Sequence, residues 1–294
     1  LKDMNPEPNL VQAGEKYLKQ SLIFLVDKIS RQEGKLPILY AYGDFLAMNL
    51  GDIHNVKTLL QVGEAYQSIG MFQQAVGLYE KVKRFDTRGT FSDRIFLNLG
   101  RIHLAQGNPE NAERVGKTFV SKFSRSRSLP SALELIGDSL NNQGKKKEAI
   151  AVYEDLLKRE TVDPSGIHYK IALIREDQGK LDLAAESFRK VLDTYDRNAR
   201  PIPEQASKSH YRLGGVLYKN KSYPQAISAL KTARELFPNH DSRNWADYLI
   251  AQAYSETQDE NQASTEMEGI AKSDQPDDLL KEVAKTNLKL KDWE

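Results

Sequence analysis

The sequence predicts an all-α fold, a solenoid of about six helix pairs with capping helices at both ends. Three observations predict it. A small residue recurs at Gly63, Gly100, Gly137, Ala172, Gly214 and Ala251, at spacings of 37, 37, 35, 42 and 37. A second small residue keeps step with it, at Ala75, Ala112, Ala149, Ala184, Ala226 and Ala263. Between the two falls a turn residue: Gly70, Gly107, Gly144 and Gly179, with Lys221 and Gln258 in that place in the last two units. Self-similarity at such a period marks stacked supersecondary units, each unable to bury its apolar face alone.

Each unit reads as two helices. Apolar residues recur three and four apart on both sides of the turn, as at Leu59, Val62 and Tyr66, then Val76, Tyr79 and Val82. A turn glycine allows the left-handed backbone that ends a helix. The small residues let paired helices approach closely. Pro109, Pro130, Pro164, Pro224, Pro238 and Pro276 sit where helices should begin. The units start near residues 56, 93, 130, 165, 207 and 244, and the array occupies 56–275.

Residues 1–55 read as an N-terminal helical cap or degenerate repeat. A long amphipathic helix over 9–33 places Leu18, Leu22, Leu25 and Ile29 on one face, and a shorter helix covers 36–50. Tyr40, Gly43 and Leu46 echo the repeat, but 20 residues from Gly43 to Gly63 are too few for a full unit. Residues 276–294 read as a capping helix, apolar at Leu279, Leu280, Val283, Ala284 and Leu288. The one long insertion, "DRNARPIPEQ" from Asp196 to Gln205, is a solvated loop or a partner-contacting one.

Composition excludes several classes of function. The 42 Lys and Arg residues against 41 acidic ones give a formal charge of +1, with no electrostatic footprint for nucleic acid. The absence of cysteine removes disulfides, thiolate metal sites and cysteine nucleophiles. "SLIFLV", Ser21 to Val26, is the longest apolar cluster, far short of the roughly 20 residues of a membrane span. A chain that opens on Leu1 reads as an excised piece or a processed product, ahead of which a signal peptide or lipid anchor would go unseen.

Chemistry is sparse. Gly116-Lys117-Thr118 ends like a phosphate loop, but the glycine that motif needs five residues earlier is Asn111. Gly116 lies in mid-helix, 37 residues from Tyr79 and 37 from Tyr153, so it replaces a large packing residue. Phe119 or His103 should fill the gap, or a shallow pocket remains. The histidines, His54, His103, His168, His210 and His240, form no helix-borne metal pair. No catalytic residue, metal or cofactor is expected.

The pattern resembles the tetratricopeptide repeat, and "LGGVLYKNKSYPQAISALKTARELFP" (Leu213 to Pro238) matches it well. The resemblance spans about three quarters of the chain. It implies a right-handed superhelix whose first helices line a concave, ligand-binding side. The family period is 34 residues; the extra residues fall in links such as "LFPNHDSRNWADYL". Such links look like those of bacterial envelope repeat proteins that work beside the Tol–Pal system or the outer-membrane assembly machine. That implies a periplasmic or outer-membrane-associated location, with a cytoplasmic one as the alternative.

Carried onto this sequence, the inward-facing positions of the second and third repeats are Arg94, Leu97, Arg101, Glu134, Asp138, Asn141 and Asn142. The later repeats present Tyr169, Tyr211, Tyr218, Trp245 and Tyr248, with Lys208 and Gln252 among them. Tyr and Trp tend to dominate interface energetics; the other reading packs these rings between repeats. Chaperone-binding members clamp a terminal carboxylate with Lys and Asn. Of those positions only Asn98 matches, and Leu60, Glu64, Ser131 and Leu135 stand where the rest should be. The expected function is a non-enzymatic protein–protein interaction scaffold that holds a protein or peptide partner and helps assemble or tether a complex. The alternatives are a regulatory or substrate-recruiting subunit of an enzyme, and a binder of small ligands or glycans.

Overall fold

The computed structural model describes residues 8–31, 35–48, 52–159, 163–195, 202, 204–271 and 281. Among these residues there are fourteen α-helices and no strand. Two precede the repeats: α1 (Pro8–Ser30) and α2 (Leu36–Ala47). Six hairpins follow. They pair α3 (Val56–Ser68) with α4 (Phe72–Phe85), α5 (Ser92–Ala105) with α6 (Pro109–Lys122), and α7 (Leu129–Asn142) with α8 (Lys146–Leu157). The last three pair α9 (Pro164–Asp177) with α10 (Leu181–Thr194), α11 (Glu204–Lys219) with α12 (Tyr223–Leu236), and α13 (Arg243–Glu256) with α14 (Glu260–Ala271). The C-terminal capping helix expected over 276–294 lies outside the described residues apart from Lys281, and so does most of the Asp196–Gln205 insertion.

One backbone device closes all six hairpins. The second residue after each first helix is left-handed: Gly70, Gly107, Gly144, Gly179, Lys221 and Gln258, with φ between 59° and 80°. The next amide then reaches back to the last turn of that helix. Met71 donates to Tyr66, Asn108 to His103, Lys145 to Leu140, Lys180 to Arg175, Ser222 to Leu217 and Asp259 to Tyr254, all at 2.9–3.0 Å. This wide bond satisfies a carbonyl that the helix end would otherwise leave bare. The second helix starts at once, so the pair is held antiparallel and close.

The links between hairpins explain the long period. Three of them, 86–91, 123–128 and 237–242, are six residues each and fold alike. Each makes two successive i→i+3 turns. Gly89 donates to Asp86 and Ser92 to Gly89; Ser126 to Phe123 and Leu129 to Ser126; His240 to Phe237 and Arg243 to His240. Side chains reinforce them: the Asp86 carboxylate accepts from the amides of Thr90 and Phe91 at 3.0 and 2.7 Å.

The described helices fall into two compact units, Leu1–Ala149 and Ile150–Glu294. In the first, Val26, Ile38, Phe45, Leu59, Leu60, Val62, Tyr79 and Val82 share one core. Small residues set its spacings. A Cβ on Gly63 would come within 2.7 Å of the fully buried Tyr79 ring. The second hairpin departs from this. Gly116 stands where Tyr79 stands in the first hairpin, and Ile136 of α7 fills its space; a Cβ there would lie 2.6 Å from Ile136 Cγ1. Leu135 meets Gly100 in the same way, beside Val115 of α6. The sequence suggested Phe119 or His103 for this gap, or a shallow pocket; Ile136 takes it instead. Phe119 is committed to the core with Leu97, Ala112, Ala132 and Leu135.

In the second unit Ala172, Ala184, Phe188, Leu213, Val216 and Ala226 form one cluster, and Tyr211, Leu230, Ala233, Ala246, Leu249 and Ile250 another. Leu230 packs directly on Gly214. Arg234 of α12 ties the last hairpin down, 2.9 Å from both Asp247 of α13 and Glu266 of α14.

One expectation for α1 is corrected. Leu22 and Val26 are buried and Ile29 packs against the core, but Leu18 and Leu25 are exposed. The apolar surface of α1 is wider than the single face the sequence suggested.

A left-handed conformation costs a side-chain-bearing residue about 1–2 kcal/mol that glycine avoids. Lys221→Gly is therefore expected to stabilise the protein by about 1 kcal/mol in chemical denaturation. A loss of stability would show that the Lys221 side chain contributes a contact worth more than the backbone strain.

Candidate functional site

The first helices α9, α11 and α13 of the second unit lie side by side, and a cavity of about 400 Å³ opens between α11 and α13. Its floor is Leu230, Ala246, Leu249 and Gly215. Its walls are Tyr211, Tyr218 and Trp245. Arg212 and Lys219 stand on the rim with Glu176 of α9. Glu176 accepts from both, at 3.0 Å from Arg212 and 2.8 Å from Lys219, so the rim carries one excess positive charge.

The five aromatics expected in the groove take different places. Trp245 is 53% exposed and stacks on Tyr248, three residues on, with ring centroids 5.3 Å apart and planes at 29°. That spacing puts both rings on one helix face. Tyr218 is half-buried and meets Tyr223 edge-on at 5.5 Å. Tyr169 lies outside the cavity lining, half-buried with its edge toward Phe188 at 6.0 Å.

Tyr211 corrects the expectation of an exposed ring: it is only 5% exposed. Its hydroxyl donates to the Phe237 carbonyl at 2.8 Å, and its ring stacks on His240 at 4.7 Å. The six-residue link from Phe237 to Ser242 thus folds over the ring. Burial pushes the Tyr211 hydroxyl above its ordinary range, and the same holds for Tyr218. One face of Tyr211 still contributes to the cavity wall.

The polar residues foreseen around these rings are peripheral to the cavity. Lys208 is exposed and pairs with Glu204 at 2.5 Å, which holds the lysine above its usual pKa. Gln252 is half-buried on α13. Arg212 and Lys219, which do form the rim, were not singled out from the sequence. Both lie on the same helix as Tyr211 and Tyr218, and their convergence on Glu176 depends on how α9 meets α11.

Arg94 and Arg101, in the first unit, serve other surroundings. Arg94 forks onto Glu64 with two bonds of 2.6 Å, and the Asn98 amide donates to the same carboxylate at 3.0 Å. Asn98, Leu60 and Leu135 are buried. The place of a carboxylate clamp therefore already holds a carboxylate of the chain's own. Arg101 is exposed beside a cavity of about 300 Å³ lined also by Ser131, Glu134, Leu135 and Asp138. A larger cavity of about 520 Å³ near Arg234 is polar, and Arg234 within it pairs with both Asp247 and Glu266. Among the described residues no group of three or more His, Asp or Glu could hold a metal ion, and no helix is long and apolar enough to cross a membrane.

Repeated antiparallel hairpins with small-residue contacts and left-handed turns define a helical-repeat protein. Tetratricopeptide-repeat profiles match residues 58–88 and, in three overlapping matches, 97–164, 134–199 and 169–241. Together these cover more than half of the chain, which belongs to the tetratricopeptide repeat family. Members of this family mediate protein–protein interaction. No curated protein matches the chain.

Solved structures share the fold at low identity. The C-terminal part of a TPR repeat-containing protein from Cytophaga hutchinsonii is similar with TM-score 0.63 at 15% identity, over 87% of this chain and 97% of that one. The pilF protein of Pseudomonas aeruginosa gives 0.55 at 18%, over 73% and 90%. A tetratricopeptide repeat protein from Parabacteroides merdae gives 0.53 at 16%, over 81% and 87%.

The two kinds of ring should separate in stability measurements. Tyr211→Phe is expected to lose about 1 kcal/mol with its hydrogen bond, and Tyr211→Ala about 3–5 kcal/mol. Trp245→Ala should change stability by no more than about 0.5 kcal/mol, as for an exposed side chain. Urea denaturation of the three variants checks this. A large loss for Trp245→Ala would make that ring part of the core.

Proposed function

We propose that the chain is a non-enzymatic scaffold that holds a segment of a partner protein in the cavity between α11 and α13. The observation that carries this reading is Trp245, half exposed and stacked on Tyr248 at the edge of an apolar-floored cavity. Exposed aromatics beside a concave apolar surface are the usual anchors of an interface. A large apolar side chain of the partner would enter between Trp245 and Tyr218 and rest on Leu230, Ala246 and Leu249. Arg212 and Lys219 favour an acidic group beside it. Tyr211 forms part of the same wall and Tyr248 backs Trp245, while Tyr169, Lys208 and Gln252 lie outside the cavity lining; Arg101 offers a second, polar contact in the first unit, where Arg94 is held by Glu64. The scaffold role would be to assemble or tether a larger complex.

A displayed library of random peptides, panned against the protein, tests this. Selected peptides should combine a large apolar residue with a nearby carboxylate. Their affinity should fall tenfold or more for Trp245→Ala, about 1.4 kcal/mol or more. Undiminished binding to that variant would place the site elsewhere.

A second reading has its own support. The cavity volume lies within the range of small-ligand pockets, and an exposed Trp is a surface on which a sugar ring can stack. On that reading the chain binds a glycan or metabolite, or recruits it for a partner enzyme. A glycan and metabolite screen that yields a ligand competing with no peptide would favour it.

The envelope location rests on the 37-residue spacing and its six-residue links. Under this reading the native protein should appear in the periplasmic or outer-membrane fraction of its bacterial host. Recovery wholly in the cytosol would overturn it.

A further inference from the structure

We propose that two copies of this chain associate through α1. Exposed large apolar residues on this helix repeat every seven positions in two parallel rows. One row is Leu10, Tyr17 and Phe24; the other is Val11, Leu18 and Leu25. At about 100° per residue the rows flank a strip that contains Gly14 and Ser21 and ends, one heptad on, at the exposed Lys28. The sector spans roughly 140° of the helix surface and adjoins the inner face of Leu22 and Val26. A Cβ on Gly14 would meet nothing within 4 Å. Two ridges beside a small-residue floor form the socket into which a second helix lays its own ridge.

A helix with the same seven-residue period is the occupant that fits, and a second copy supplies one. The period of seven, not 3.6, is what two helices need to keep a seam in register. The exposed area agrees. Tyr17 and Phe24 are each 71% exposed and Leu10 65%. With the three remaining aliphatics the sector presents on the order of 600 Å² per copy. Two copies then cover about 1,200 Å², the level at which stable interfaces begin. A lipid surface fits less well. Membrane-surface helices carry a polar face rich in Lys and Arg, whereas α1 has Lys16, Lys19 and Lys28 against Glu15 and Asp27. Asp27 is already engaged by Lys57 and Arg31.

Light scattering with size-exclusion chromatography tests the proposal on the full chain. The protein should run at twice its 33.3 kDa chain mass. Tyr17→Glu with Phe24→Glu should return it to the single mass with its helical circular dichroism unchanged, because neither ring is in the core. Phe24→Ser is a milder variant that should weaken association in the same direction. A wild-type chain that stays at single mass up to about 100 μM overturns the proposal. So does a dimer that survives both variants. Flotation of a monomeric wild-type chain with phosphatidylcholine–phosphatidylglycerol vesicles would also overturn it, by assigning the face to lipid.

Discussion

Everything above the level of a single helix depends on one left-handed residue per hairpin. It turns the chain within two residues and supplies the wide backbone bond to the preceding helix. Because the reversal is so tight, the two helices pack closely on each other, as α3 does on α4 and α11 on α12. Contact at that distance demands small side chains, which is why Gly63 faces Tyr79 and Gly214 faces Leu230 with no room for another carbon. The turn and the small residues are therefore two parts of one constraint. Glycine meets the backbone requirement at four of the six turns. At Lys221 and Gln258 the flanking packing imposes it against the preference of the side chain.

The six-residue links add a second layer. They lengthen the repeat and also provide cover. In the second unit the link carries Phe237 and His240 onto Tyr211, turning a first-helix aromatic into a wall of the core. Trp245 follows immediately on α13 and escapes this cover. The cavity lies between a ring that is covered and a ring that is exposed. A wall held by hydrogen bond and stacking keeps its shape when empty, which would lower the ordering cost of the binding proposed for this cavity.

The hairpins were legible in the sequence because their geometry is written in residue size: Gly or Ala at fixed places, and a turn residue between them. Even Lys221 and Gln258 could be placed by counting alone. The groove was legible only in part. That Tyr211, Tyr218 and Trp245 share a first-helix surface follows from spacing. Which of them is covered does not, since the cover comes from a link whose double turn has no strong composition of its own: Gly89, Ser126 and His240 occupy equivalent positions. The ion pairs of Glu176 with Arg212 and Lys219 join residues 36 and 43 apart, and only the packing of α9 on α11 brings them together. On α1, the sequence showed apolar residues but not which of them the neighbouring helices would cover.

The exchange of Tyr for Gly at position 116 has an effect beyond packing. Stability in a repeat array is the sum of each unit's own stability and its coupling to the next. Most units are closed by a large residue from their own second helix. The second hairpin instead borrows Leu135 and Ile136 from α7 to complete its interior. Its own stability is thereby lowered and its coupling raised, so it has little tendency to remain folded once α7 departs. In the vocabulary of cooperativity, the α5–α6 hairpin and α7 form one unit of unfolding rather than two. Amide protons of these three helices are expected to exchange together, as a block defined by a missing side chain.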